Sequence, residues 1–222
     1  MTPRRAATRR LAATGVYAIL GGLPPRGLVS VARRLRRGGI RVFQLRLKHA
    51  RDRDILRIAG DLRRALGGCT LVLNDRCDLA GAAGVDGVHL GQDDLPLYEA
   101  RRLLGPGVWI GLSAGTPAEV AQAVEEHPDY ISLGPAYATR TKRDAGPALG
   151  GRGFRRLAGL AGRDRPLLAV GGVRPDNVGD LIGNGATAVA AASWLTRAAD
   201  PEGAARRLME AVSAARRSRR GV

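Results

Sequence analysis

The sequence predicts a single-domain α/β protein, a closed (β/α)8 TIM barrel of parallel strands. Three observations predict it. Short β-rich runs alternate with stretches of helical spacing through eight cycles. No linker or low-complexity segment interrupts the cycles. The 222 residues suffice for one barrel with a sizeable core. Strands that alternate with helices pair in parallel through right-handed crossovers. An open doubly wound sheet usually has fewer strands and often a Gly-x-Gly-x-x-Gly turn after the first. The first run here leads into Gly21-Gly22-Leu23-Pro24-Pro25, which lacks that fingerprint.

The elements follow in order. A first strand is predicted at residues 15–20, with a helix at 28–37 that Gly38 and Gly39 stop. The second strand, 41–47, leads to a helix at 53–66 that Gly67 and Gly68 stop. Strands three and four fall at 70–74 and 87–90, and a helix at 97–104 ends at Gly105. The fifth strand, 108–112, precedes Thr116-Pro117, an N-cap and first-turn proline for a helix at 117–126. The remaining strands are 130–133, 166–170 and 187–191, with a helix at 175–182 between the last two. The barrel is expected over residues 15–213. A basic flexible N-terminal extension (1–14) and a basic C-terminal tail (214–222) flank it.

The net charge of +16 invites a nucleic-acid reading, and its distribution opposes one. Arg4, Arg5, Arg9 and Arg10 open the chain, and Arg216, Arg217, Arg219 and Arg220 close it, both without acids. Arg33, Arg34, Arg36 and Arg37 lie on a helix surface. Aromatic residues make up 4%, too few for base-stacking platforms. Weak adhesion to polyanions is expected, without dedicated nucleic-acid binding. No apolar run approaches the roughly 20 residues of a membrane span. Cys69 and Cys77 form no Cys-x-x-Cys pair and read as core thiols of a reducing compartment. The expectation is a soluble, cytoplasmic protein; a homo-oligomer is compatible with it.

A barrel of this kind carries its site at the C-terminal ends of its strands. Strand two brings Gln44, Arg46 and Lys48 to one face and Leu45 and Leu47 to the other. Burying a guanidinium and an ammonium costs several kcal/mol unless an anion meets them, so this strand reads as an anion pocket. Asp75 and Asp94 end neighbouring strands, and two carboxylates with phosphate oxygens and waters suit Mg²⁺. Asp78 and Asp93 read as cap or surface residues, and His89 as a hydrogen-bonded core histidine. Lys142, with Thr139, Arg140, Thr141 and Arg143, lies in a long loop after strand six that suits a lid over an anion. Gly171-Gly172 and Ser193, after strands seven and eight, suit a phosphate, with Ser193 capping a short helix. One cationic, metal-assisted site and one neutral site imply a diphosphate substrate and a monophosphate substrate. The chemistry is departure of pyrophosphate followed by capture of the carbocation.

These motifs, QLRLK at 44–48, NDR at 74–76, DGVHLGQDD at 86–94, GLSA at 111–114, GPAYATRTK at 134–142, VGG at 170–172 and Ala192-Ser193, resemble those of the thiamine-phosphate synthase family. The resemblance runs from about Val16 to Trp194. It implies joining of a hydroxymethylpyrimidine diphosphate to a thiazole phosphate, giving thiamine phosphate and pyrophosphate. It also implies that Gln44, Arg46, Lys48, Asn74, Ser113 and Lys142 hold the pyrimidine diphosphate, with Arg46, Lys48, Ser113 and Lys142 catalytic. Asp75 and Asp94 would hold Mg²⁺. Thr139, Thr141, Gly172, Ala192 and Ser193 would bind the thiazole phosphate. The thiazole nitrogen is the nucleophile, so no protein nucleophile is needed.

The sequence departs from the pattern at Gly115, where many relatives carry histidine, and in a first strand without an acidic end. Three rival readings remain. A thiazole tautomerase-like isomerase needs a histidine near strand five. A Schiff-base lyase would use Lys48. A noncatalytic basic protein would bind polyanions without turnover.

Overall fold

The computed structural model describes residues 2–139, 146–219 and 221. Eight parallel strands close into a barrel, with β1 hydrogen-bonded to both β2 and β8. The strands are β1 (Val16–Leu20), β2 (Val42–Leu45), β3 (Thr70–Asn74), β4 (Gly87–Leu90), β5 (Trp109–Ala114), β6 (Tyr130–Leu133), β7 (Leu167–Val170) and β8 (Ala188–Ala191). The helices are α1 (Pro3–Thr14), α2 (Pro25–Arg37), α3 (Asp52–Ala65), α4 (Cys77–Ala83), α5 (Leu97–Leu104), α6 (Pro117–Glu126), α7 (Gly150–Ala161), α8 (Val178–Gly183), α9 (Ser193–Thr196) and α10 (Pro201–Arg219). All eight predicted strands are present, within two residues at each end. The Thr116 hydroxyl accepts from the Glu119 N–H at 3.2 Å, as an N-cap before Pro117 should.

The pleat sorts each strand's side chains into two apolar regions. One set faces the helices: Ala18, Phe43, Leu45, Leu71, Leu73, Val88 and Ile131 pack against Leu35, Ile58 and Leu208. The other fills the barrel: Tyr17, Val42, Val72, Trp109, Tyr130, Leu168, Ala188 and Ala190. The aromatic rings of this inner layer touch, with Trp109 and Tyr130 centred 4.3 Å apart. Layers of side chains make such a barrel a packed core, not a pore.

The N-terminal residues differ from the flexible extension expected of 1–14. They form α1, which starts at Thr2-Pro3 and ends at Gly15 in the left-handed conformation. Ala7 and Leu11, one turn apart, are fully buried against the barrel's inner layer and close its floor. Arg4 bonds the buried Asp129 carboxylate, and Arg10 Nη1 donates to Thr70 Oγ1 at 3.0 Å. Burial of Leu11 and these bonds offset the entropy of ordering the segment. The expected tail from residue 214 is likewise corrected: α10 runs to Arg219. Arg216 donates to the carbonyls of Ala12 and Thr187, tying α10 to α1 and to the start of β8. Cys69 and Cys77 are buried free thiols.

Candidate functional site at the barrel mouth

The second strand stops at Leu45, two residues sooner than predicted. Gln44 points into the barrel and is 2% exposed. Arg46 still donates its N–H to Leu20 O at 2.9 Å, which holds it at the strand end, half-buried. Lys48 projects from the following loop, and its Nζ lies 3.9 Å from Asp75 Oδ2.

Asp75 follows β3 with φ +66°, a left-handed conformation that aspartate tolerates better than bulkier residues. Its N–H bonds His89 O at 2.8 Å, pinning the turn to β4. Asp94, in the loop after β4, accepts the Gly91 N–H at 2.6 Å and faces Asp75 closely enough to share a hydrogen bond. Burial and the Asp94 carboxylate push the Asp75 carboxyl up to about 6, and the charges of Lys48 and Arg46 pull the other way. Thus Arg46, Lys48, Asp75 and Asp94 converge, as the sequence predicted. Asn74, nearly buried, ends β3 beside His89 on β4. Asp78 is engaged by Arg76 at 2.5 Å and Asp93 is exposed, in keeping with surface roles.

Two crowded carboxylates suit a divalent cation, which replaces their mutual repulsion with attraction. Among the described residues no cluster of three metal-ligating side chains occurs. A Mg²⁺ ion here would therefore take its other ligands from phosphate and water.

Ser113 lies on β5 opposite Ser132, and its Oγ is 2.9 Å from His89 Nε2. Gln92 Nε2 donates to Ser113 O at 2.6 Å. His89 is hydrogen-bonded, as expected of a core histidine, and its Nδ1 lies 2.9 Å from the Tyr130 hydroxyl. Tyr17 and Tyr130 lie outside every motif the sequence presents.

The remaining predicted residues gather after β6, β7 and β8. Gly172 has φ +62°, and a Cβ there would meet Tyr137 Cβ at 2.7 Å and Ala138 O at 2.8 Å. Only glycine lets the loop after β6, with half-buried Thr139 at the end of its described part, lie against β7. Asn177 Nδ2 braces the turn by donating to Gly172 O at 2.9 Å. Ser193 is exposed and begins α9, and Ala192 rather than Ser193 occupies the N-cap position. The expected side-chain cap is therefore absent; what α9 offers a ligand is backbone N–H at its first turn. Thr141 and Lys142, with Arg140 and Arg143, lie outside the described residues.

The fold and this mouth define a class: a barrel enzyme built to hold phosphorylated substrates. Residues 16–195 match the profile of the thiamine monophosphate synthase family. The chain is 42% identical over 188 residues to a thiamine-phosphate synthase of Methanoculleus marisnigri, covering 84% of this chain and 88% of that one. It is 41% identical over 215 residues to one of Anaeromyxobacter dehalogenans, covering 96% and 94%. Its backbone resembles the solved thiamine phosphate pyrophosphorylase from Pyrococcus furiosus, with TM-score 0.81, 27% identity and 93% and 98% coverage. The chain belongs to the thiamine monophosphate synthase family.

Proposed function

We propose that the protein is a transferase of thiamine biosynthesis. It joins 4-amino-2-methyl-5-(diphosphooxymethyl)pyrimidine to 4-methyl-5-(2-phosphoethyl)thiazole, giving thiamine phosphate and pyrophosphate. The convergence of Arg46, Lys48, Asp75 and Asp94 carries this reading. The names of its relatives support it.

Gln44, Asn74 and Ser113 hold the pyrimidine, and Arg46, Lys48 and Lys142 hold its diphosphate. Asp75 and Asp94 would hold Mg²⁺, which would supply positive charge to the leaving group. The methylene C–O bond breaks and its electron pair leaves with pyrophosphate. The thiazole nitrogen lone pair then forms the new C–N bond. Thr139, Thr141, Gly172 and the backbone at Ala192 and Ser193 hold the thiazole phosphate with neutral donors.

Gly115 argues against the tautomerase reading. Its N–H bonds Glu119 Oε2 at 2.6 Å, and a Cβ there would sit 2.7 Å from Gly134 O. The position carries no acid–base group and has no room for one as the backbone stands. Lys48 faces a carboxylate, a setting suited to anion binding more than to a Schiff base. No described helix is long and apolar enough to cross a membrane. Buried free thiols support a cytoplasmic location.

Pyrophosphate release from the pyrimidine diphosphate, with and without the thiazole phosphate and Mg²⁺, tests the proposal. Release should require all three. Asp94→Asn, which keeps an oxygen for the Gly91 N–H, should lower Mg²⁺-dependent release at least about 100-fold without unfolding the chain. Unchanged turnover in that variant would remove the metal assignment.

A further inference from the structure

Beneath the mouth, a hydrogen-bonded chain crosses the barrel from β1 to β5, with Gln44 beside its β1 end. Tyr17 OH lies 3.0 Å from Tyr130 OH, which lies 2.9 Å from His89 Nδ1. His89 Nε2 lies 2.9 Å from Ser113 Oγ. Tyr17 and Tyr130 are fully buried, and Gln44 and His89 nearly so. Burial raises both phenols far above their ordinary value, so they stay neutral.

The arrangement is made possible by Gly111. A Cβ at 111 would fall inside the Tyr130 ring, so only glycine lets that ring reach across β5 to stack on His89. The centroids of Tyr130 and His89 are 5.5 Å apart and the rings are 19° from parallel.

Each phenol has one proton, and a neutral imidazole has one N–H. With His89 neutral, two orders satisfy every bond. In the first, Tyr17 donates to Tyr130, Tyr130 to His89 Nδ1, and His89 Nε2–H to Ser113, which leaves the Ser113 proton for the mouth. In the second, every bond reverses: Ser113 spends its proton on His89 Nε2 and offers the mouth only lone pairs.

We propose that His89, Tyr130 and Tyr17 are positioning residues that set whether Ser113 offers a proton or only lone pairs to the ring held at the mouth. A ring with an amino donor beside a ring-nitrogen acceptor, as in an aminopyrimidine, selects between the two. The inference rests on the reading that Ser113 holds the pyrimidine. None of the three touches the reacting atoms; they act through Ser113.

Kinetics of pyrophosphate release test this. Tyr130→Phe, which deletes one oxygen, should lower kcat/KM for the pyrimidine diphosphate about tenfold and leave KM for the thiazole phosphate unchanged. His89→Gln, which retains an amide N–H, should keep more activity than His89→Ala. In a Ser113→Ala background, His89→Ala should cost less than about twofold more, because its route to the substrate is already cut. Tyr17→Phe serves in the same cycle if His89→Ala does not fold. Losses that multiply, or an equal rise in KM for the thiazole phosphate, overturn the proposal. If Ser113→Ala alone leaves the pyrimidine kinetics unchanged, the pocket reading beneath it falls as well.

Discussion

Asp75 sits where two demands conflict. The fold keeps it half-buried beside a second carboxylate, and the proposed chemistry needs it ionised. Burial and the neighbouring Asp94 carboxylate push its carboxyl from 3.8 up to about 6. Between those values the folded state holds more protons than the unfolded chain, so raising the pH through this window favours unfolding. A divalent cation bound to the ionised pair reverses the penalty. Mg²⁺ should therefore raise the unfolding midpoint clearly at pH 7.5 and barely at pH 5, measured by thermal unfolding against an EDTA control. Equal shifts at both pH values would rule out Asp75 as a ligand. At this scale, the gathering of Gln44, Arg46 and Lys48 at the end of β2 was legible from their spacing, although the strand stops at Leu45 and Lys48 reaches Asp75 from the loop. The link between Tyr17 and Tyr130 was not, because those residues are 113 positions apart and meet only when the barrel closes.

Among the elements, α1 was the least legible. It has a threonine N-cap before a proline, the signal that located α6, yet six of its residues from Pro3 to Leu11 are proline, threonine or arginine. Its apolar stripe is only Ala6, Ala7 and Leu11. Such a stripe is too narrow to predict burial unless the surface it meets is known. That surface is the aromatic layer inside the barrel, which also forms only on closure. Leu11→Ala should destabilise the protein by roughly 2–5 kcal/mol in denaturant unfolding, as for other fully buried leucines. A change below about 0.5 kcal/mol would mean that α1 does not close the floor.

Across the whole molecule, a second group of cations lies apart from the mouth. Arg33, Arg36, Arg37 and Arg41 line a cavity of about 470 Å³ between α2 and α3, at the end of the barrel away from the mouth. Arg36 and Arg37 are engaged by Ala65 O and Glu202, whereas Arg33 has no such partner among the described residues. Arg33→Glu should weaken retention on a polyanion column at low salt and leave kcat/KM for both substrates within about twofold. A matching loss of turnover would show that the basic pole assists the reaction. The sequence placed these cations on a helix surface but could not say which end of the barrel they flank. The plug that Leu11 and Ala7 form has a practical corollary. A tag or carrier fused ahead of Thr2 emerges on the side opposite substrate entry and leaves that entrance clear. Proteolytic clipping after Thr14 would instead let solvent reach the phenols from below.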